Sequence, residues 1–510
     1  MRKDGCDKRL IVNRLVTRSL ITTKNDFMGI LSNLKPEPVF RYFEEICQIP
    51  HGSGNTKEIS DYCVRFAKEH GLRHIQDSAN NIIIFKPGTT GYENSAPVIL
   101  QGHLDMVCEK EFDCDIDMDR EGLQLEVQGD MISARGTTLG GDDGIAVAYA
   151  LAILDADDIP HPPLEAVFTV DEEIGMLGAA ALDCTPLESR IMLNLDSEDE
   201  GYLLVGCAGG ISVKGSIPTT RFSASGKKAT LRISGLLGGH SGIEIDKSRA
   251  NACKLLGRTL YALQKEVSFL LCSLQGGLKD NAIPRDATAT LLLDGDADES
   301  KIAECINKIQ QKYQNEYRKS DPGVTCAITF SESGTANAMT PDISKNVIAA
   351  LVNFPNGVQR MSLDIEGLVQ TSLNLGIMKT SEEEFTCSFS LRSSVESEKH
   401  ALVEQIECLM ESLGGSLKTM GEYPAWEYRP DSPLRDLMVE VFEDQYGRKP
   451  VIQAIHAGVE CGLFAGNLPG LDCVSFGPDM KGIHTPKEVL DAASVLRTWE
   501  YTLEVLKRLK

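Results

Sequence analysis

Two histidines and a set of acidic residues share one placement along this chain: each lies at or just beyond the end of a short apolar run. His103 and Asp105 follow Val98 to Leu100, Glu172 and Glu173 follow Leu164 to Val170, Asp196 follows Ile191 to Leu195, and His484 lies beyond Cys473 to Phe476. Asp142 joins them from Leu139-Gly140-Gly141-Asp142-Asp143-Gly144, where glycines permit an unusual turn into a following helix. Taken singly, each piece has an ordinary reading: a satisfied core histidine, a solvated acidic run at Asp171 to Glu173, a turn or helix cap at Asp196. Their joint placement carries the inference. Two imidazoles with several carboxylates and no thiolate suit zinc, cobalt or manganese, and an oxygen-rich shared site suits a metal pair with a bridging carboxylate. The chemistry implied is two-metal hydrolysis.

Such a constellation needs a scaffold that brings strand ends together. From Pro36 to about residue 209 helix and strand alternate: a helical period over Thr56 to Glu69, strands at Asn81 to Phe85 and Val98 to Leu100, a buried helix over Gly144 to Ala156, then strands at Leu164 to Val170 and Ile191 to Leu195. Alternation of this kind predicts a largely parallel sheet covered by helices, with ligands bound outside the carboxyl ends of the strands. After Pro433 the same texture returns, with a helix over Leu434 to Tyr446, a short strand at Cys473 to Phe476 and a closing helix over Val489 to Leu509.

Between them the pattern changes. Ser273-Leu274, Gly277-Leu278-Lys279 and a strand at Ala287 to Leu293 resemble Ser372-Leu373, Gly376-Ile377-Met378-Lys379 and a strand at Phe385 to Leu391, and a polar helix follows each, near Ser300 to Tyr317 and Glu396 to Leu413. The expected fold class is therefore α/β: a discontinuous di-metal domain of residues 28–209 and 430–510, with a mostly parallel sheet and helices on both faces. An α+β lid, residues 210–429, is inserted in it and internally duplicated.

Composition narrows the partners. The 510 residues carry 51 Lys and Arg against 74 Asp and Glu, a formal net charge of −23, which opposes adhesion to nucleic acid or to an anionic bilayer. With 42% hydrophobic and 25% charged residues the chain can bury large cores. Its clearest apolar stretch, Ile145 to Leu154, is far short of the roughly 18 residues needed to span a membrane. Fifteen cysteines scattered singly read as reduced thiols of a cytoplasmic protein. Residues 1–27 hold seven basic and three acidic side chains ahead of Met28 and read as an upstream extension, disordered or absent from the working protein.

The ordered motifs Gly102-His103-Leu104-Asp105-Met106-Val107, Gly140-Gly141-Asp142-Asp143-Gly144, Asp171-Glu172-Glu173-Ile174-Gly175, Asn194-Leu195-Asp196 and Gly482-Ile483-His484-Thr485-Pro486 resemble those of the metallopeptidase M20 family. Leu237-Gly238-Gly239-His240-Ser241-Gly242 and His456-Ala457-Gly458-Val459-Glu460-Cys461-Gly462 fit its aminoacyl-histidine dipeptidase branch. The resemblance extends from about Met28 to the C-terminus. It implies that His103 and Asp196 hold one divalent cation, Glu173 and His484 a second, and Asp142 bridges them. Asp105 would orient the imidazole of His103, and Glu172 would be the general base. Many relatives carry a Lys between the second Asp of the glycine turn and its Gly; here Gly144 follows Asp143 directly, as fits the dipeptidase branch.

By the same resemblance His240 would approach the oxyanion or the substrate carboxylate, and Asn281 and Arg392 would clamp that carboxylate, a task that suits the planar fork of arginine; a surface ion pair for Arg392 and a turn at Asn281 are the plain alternatives. Because their segment precedes the strand at Cys473 to Phe476, His456 and Glu460 are expected to help read the substrate amine or side chain, with a buried, backbone-bonded His456 as the plain alternative; His51 and His161 are expected to be structural. The expected activity is metal-dependent hydrolysis of short peptides, including Xaa-His dipeptides such as β-alanyl-histidine, with two divalent ions, zinc first and cobalt or manganese as alternatives. A tripeptidase, an N-acyl amino acid deacylase and a non-catalytic metal or peptide binder are the rival readings. The chain is expected to be a monomer, one lid half imitating a partner's, or a homodimer.

Overall fold

The computed structural model describes residues 29–510; the basic segment 1–27 lies outside the described residues. Eight strands form the first sheet, in the order Arg73–Gln76, Ile82–Lys86, Leu164–Thr169, Val98–His103, Ile191–Asn194, Asp472–Ser475, Tyr202–Cys207, Val451–Ile455. Its central four are parallel to one another and join Ile82–Lys86 on one side and Tyr202–Cys207 on the other in antiparallel fashion; Arg73–Gln76 then pairs antiparallel at one edge and Val451–Ile455 parallel at the other. The short apolar runs become strands because successive side chains can be buried on opposite faces. Ile82, Ile84, Val98, Leu100, Ala166 and Phe168 enter one core. Their neighbours Ile83, Phe85, Ile99 and Val167 enter another.

The helices Glu37–Cys47, Lys57–Glu69, Gly141–Asp155, Pro433–Tyr446 and Ala492–Arg508 supply the first core, and Leu177–Ala181 and Glu460–Asn467 the second. The helix Gly141–Asp155 is apolar all round and wholly buried from Gly144 to Leu154, as an inner helix must be. Its backbone is not helical at Asp142 and Asp143, so regular geometry begins at Gly144. Two expectations shift. The strand beginning at Val98 continues to His103, so the imidazole stands on the last strand residue rather than past it. The closing helix starts at Ala492, because Val489–Asp491 pairs with Met131–Ala134 and Asp491 then caps the helix through the N–H groups of Ala493 and Ser494.

Between Gly209 and Tyr423 nine strands form a second sheet, antiparallel throughout: eight in the order Thr325–Met339, Arg221–Ser234, Ala287–Leu293, Phe269–Gly276, Val369–Thr380, Glu384–Ser393, Gly209–Pro218, Ser416–Tyr423, and Gly357–Met361 paired with Val369–Thr380 beside that row, while Gly239–His240 and Ala282–Ile283 pair separately. Its middle is the antiparallel pairing of Gln275 with Lys379 and Gly276 with Met378. On either side of that junction the order of elements is the same: a strand hairpin, then a polar helix (Glu299–Glu316 or Glu396–Ser412), then an edge strand.

Candidate active site

The strand ends converge as parallel pairing requires. His103 is in register with Thr169, and Gln101, two residues before it, with Asn194, so His103, Glu173 and Asp196 leave adjacent strands at one sheet edge. A separate four-stranded sheet supplies the rest. Met480–Lys481 and Val489–Asp491 pair as a hairpin against Met131–Ala134, which brings the connecting segment with His484 over the turn that carries Asp142.

The result is two ligand-like groups sharing one residue. His103 Nε2 lies 3.1 Å from Asp142 Oδ1 and 3.7 Å from Asp196 Oδ1. His484 Nε2 lies 3.1 Å from Asp142 Oδ2 and 2.9 Å from Glu173 Oε1. Within each group the candidate ligand atoms are all within 4.8 Å of one another. The two oxygens of Asp142 therefore face different imidazoles. A third cluster, Glu396, His400 and Glu422, is of another kind: the buried ammonium of Lys399 lies 2.7 Å from Glu396 and 3.2 Å from Glu422 and already balances it.

Supporting contacts fix these side chains. The Nδ1–H of His103 donates to the backbone carbonyl of Asp105 at 2.9 Å, leaving Nε2 toward Asp142 and Asp196. The Asp105 carboxylate is 3.5 Å from that ring and accepts instead from Ser53 Oγ (2.8 Å) and the backbone N–H groups of Glu172 (3.0 Å) and Glu173 (3.4 Å). Asp143, fully buried, accepts the backbone N–H of His103 at 3.0 Å. Two residues beneath the strand ends, Glu460 Oε2 accepts from Gln101 Nε2 and Thr169 Oγ1, both at 2.6 Å, and Gln101 Oε1 accepts from Asn194.

Electrostatics expose the imbalance. Burial opposes charge on His103, but Asp105, Asp142 and Asp196 outweigh it and raise its pKa well above the ordinary value. Asp142 and Glu173 push His484 up to about 10. Burial, then the charges of Asp196, Glu460 and Glu173, push Glu172 up to about 9. Burial is also the main cause that takes Glu460 to about 7. Among the described residues no Lys or Arg is ion-paired with Asp142, Glu173 or Asp196.

His240, Asn281, Arg392 and His456 form a second cluster. His240 pairs with Ala282, and the carbonyl of Asn281 accepts the N–H of Ser241 at 2.9 Å, which sets His240 and Asn281 side by side. A Cβ on Gly242 would lie 3.0 Å from His240 Cε1, 3.1 Å from Arg392 Nε and 2.9 Å from the His456 carbonyl, so these three meet there. Arg392 Nη1 donates to Tyr423 Oη at 2.8 Å, while its buried Nε has no partner among the described residues. His456 Nε2 is 2.7 Å from Ser372 Oγ, on a strand of the second sheet. Glu460 stands only four residues further on, against Gln101 and Thr169, so one segment of at most about 14 Å joins the two clusters. His51 and His161 are buried, each within hydrogen-bond distance of a backbone carbonyl. A groove of about 800 Å³ between the helices Ala252–Leu263 and Pro341–Asn353 touches none of these residues.

The sequence matches the Peptidase family M20/M25/M40 over residues 99–508. The chain belongs to that family. It is 37% identical to the cytosol non-specific dipeptidase of Escherichia coli, over 94% of this chain and 99% of that one. It is similar in structure to the aminoacylhistidine dipeptidase of Vibrio alginolyticus, with a TM-score of 0.89, 37% identity and coverage of 95% of this chain and 99% of the other. A tripeptidase of Staphylococcus aureus shares the fold alone, at 16% identity and a TM-score of 0.52 over 94% of this chain and 99% of that one. These full-length relatives at 37% identity are dipeptidases, and this member of the M20 family is a hydrolase of peptide bonds. No described helix is long and apolar enough to cross a membrane.

Sequence reasoning did not reach Glu488, Ser53 or Tyr423. Ser53 and Tyr423 carry no motif. Glu488 lies four residues after His484, a spacing that would have marked it as a candidate but assigned it no partner.

Proposed function

We propose that this chain is a metal-dependent dipeptidase of short peptides, Xaa-His dipeptides such as β-alanyl-histidine among them. His103 and Asp196 hold one divalent cation, Glu173 and His484 a second, and Asp142 serves both. The observation that supports this reading most is the split of Asp142, one oxygen toward each imidazole at 3.1 Å. The donor set fits such ions: imidazole nitrogens and carboxylate oxygens without thiolate, and three acids lacking any Lys or Arg partner among the described residues. Zinc is the reading for the ions, with cobalt and manganese as substitutes.

Divalent cations held by these residues would supply Lewis acidity toward a scissile carbonyl and an attacking water. The rest falls to the side chains. Glu172, held by its backbone N–H to Asp105, accepts a proton from the attacking water and returns it to the leaving amine. Its upward shift comes from burial and from the neighbouring acids Asp196, Glu460 and Glu173. Arg392, steadied by Tyr423, directs its free Nε toward the substrate carboxylate, with His240 and Asn281 beside it.

In this reading residues 28–209 and 430–510 are the catalytic domain, and 210–429 a duplicated lid whose halves meet at Gly276 and Met378. That junction stands where two separate lids would meet, so the working form is a monomer. The location is cytoplasmic. An activity panel of β-alanyl-histidine, Gly-His, Cys-Gly, Leu-Leu, Leu-Gly-Gly and an N-acetyl amino acid, after loading with zinc, manganese or cobalt, tests the assignment. Dipeptides are cleaved and the other two classes are not; preferred cleavage of Leu-Gly-Gly or of the N-acetyl compound overturns it.

A further inference from the structure

Glu488 makes a connection of its own. Its side chain is 3% exposed and pairs with no cation among the described residues. It accepts four consecutive backbone N–H groups: Oε2 from Leu139 at 2.8 Å and Gly140 at 3.1 Å, Oε1 from Gly141 at 2.8 Å and Asp142 at 3.4 Å. Those amides belong to the turn that presents Asp142, ahead of the regular helix, and without the carboxylate they would be buried donors lacking a partner. Approach this close depends on glycine: a Cβ at Gly141 would come within 3.2 Å of Oε1, and Gly140 has a φ of +68°.

The other end of the contact is the His484 segment. His484 has a φ of +58°, a conformation that costs a non-glycine residue energy and persists only where the surroundings impose it. Thr485 Oγ1 donates to the Gly482 carbonyl at 2.6 Å, and the Glu488 N–H donates to the Thr485 carbonyl at 3.1 Å, closing a compact loop around the imidazole. The carboxylate at the end of that loop grips the Asp142 turn, and the imidazole near its start faces Asp142 Oδ2.

We propose that Glu488 is a positioning residue that sets the spacing of Asp142 and His484, and through them the affinity of the Glu173–His484 cation position. Glutamine has the shape of glutamate but puts an N–H₂ donor against two N–H donors, so it cannot close both halves of the clamp. The effect falls first on the position that depends on His484. The inference rests on the two-cation reading above and deepens it.

The test is titration of the metal-free full chain with Co²⁺, monitored by calorimetry and by visible absorption of the bound ion. Wild type and Lys487→Ala, an exposed neighbour, bind two Co²⁺ per chain. Glu488→Gln binds the weaker Co²⁺ about 10- to 100-fold less tightly, the range for lost partners around metal ligands, with an altered cobalt spectrum. If Glu488→Gln does not fold, Glu488→Asp, which keeps two acceptor oxygens on a shorter stem, carries the same expectation. A folded variant that binds both ions with wild-type affinity and spectrum overturns the proposal, even if it unfolds at a lower temperature, because that pattern belongs to a purely structural residue. Failure of the wild type to bind two ions overturns the two-cation reading itself.

Discussion

The carboxylate of Asp105 accepts the backbone N–H of Glu172 at 3.0 Å. The residue whose carbonyl orients His103 thus also fixes the first of the two adjacent acids. Replacement of this carboxylate frees the backbone of Glu172 and Glu173 together and leaves the hydroxyl of Ser53 without its acceptor. Asp105→Ala lowers kcat/KM for a dipeptide by about 10- to 100-fold and weakens metal retention, the range for outer partners of a metal site. Steady-state kinetics with metal analysis after dialysis check this; wild-type values in both would show that the carboxylate is dispensable.

The proposed function gives the neighbours Glu172 and Glu173 different tasks. Only Glu173 lies against His484, at 2.9 Å. Glu172→Ala loses about 10²-fold or more in kcat while keeping two ions per chain. Glu173→Ala loses metal. Elemental analysis of both purified variants distinguishes them, and full activity in Glu172→Ala would remove it as the base.

The proposed carboxylate clamp rests on Arg392, which makes no ion pair among the described residues. It bonds the neutral hydroxyl of Tyr423 and keeps a buried Nε free. Arg392→Ala raises KM for free dipeptides about 10-fold or more, while amidated dipeptides, which lack the charge, change little. Equal effects on both substrates dismiss the clamp.

His456 gives a pH test of the junction between the clusters. Burial, then the charge of Arg392, lowers its pKa to about 3 in the folded chain, below the ordinary value near 6.5. Folding therefore favours the neutral ring. The stabilisation is full above about pH 6.5 and is lost progressively as pH falls toward 3. Chemical denaturation at pH 7 and pH 5 should show a smaller loss in His456→Gln than in wild type; identical losses would mean that the ring titrates alike folded and unfolded.

Much of this arrangement is written locally. Runs such as Val98 to Leu100 and Leu164 to Val170 announce buried strands, and buried parallel strands deliver the residues at their carboxyl ends to one edge. The grouping of His103 with Asp196 and of Glu173 with His484 is implied by the family resemblance rather than by local pattern, and each of these pairs of side chains lies together. Other parts depend on contacts across hundreds of residues. Glu488 reaches Leu139, 349 residues away, and Ser53 reaches Asp105 from a loop without periodicity. Val489 to Asp491 reads as helix because its apolar pattern continues into Ala492–Arg508, but the free edge at Met131 claims it as a strand. Asp105 shows the limit most clearly: the family resemblance implies that it orients His103, while the atom nearest the ring is its backbone carbonyl.

The most direct test is a crystal structure of the zinc-loaded chain with anomalous differences measured at the zinc edge. Two peaks about 3.5–4 Å apart are expected, one between His103 and Asp196, the other between Glu173 and His484, with Asp142 touching both. A single peak, or zinc bound away from Asp142, would contradict the account.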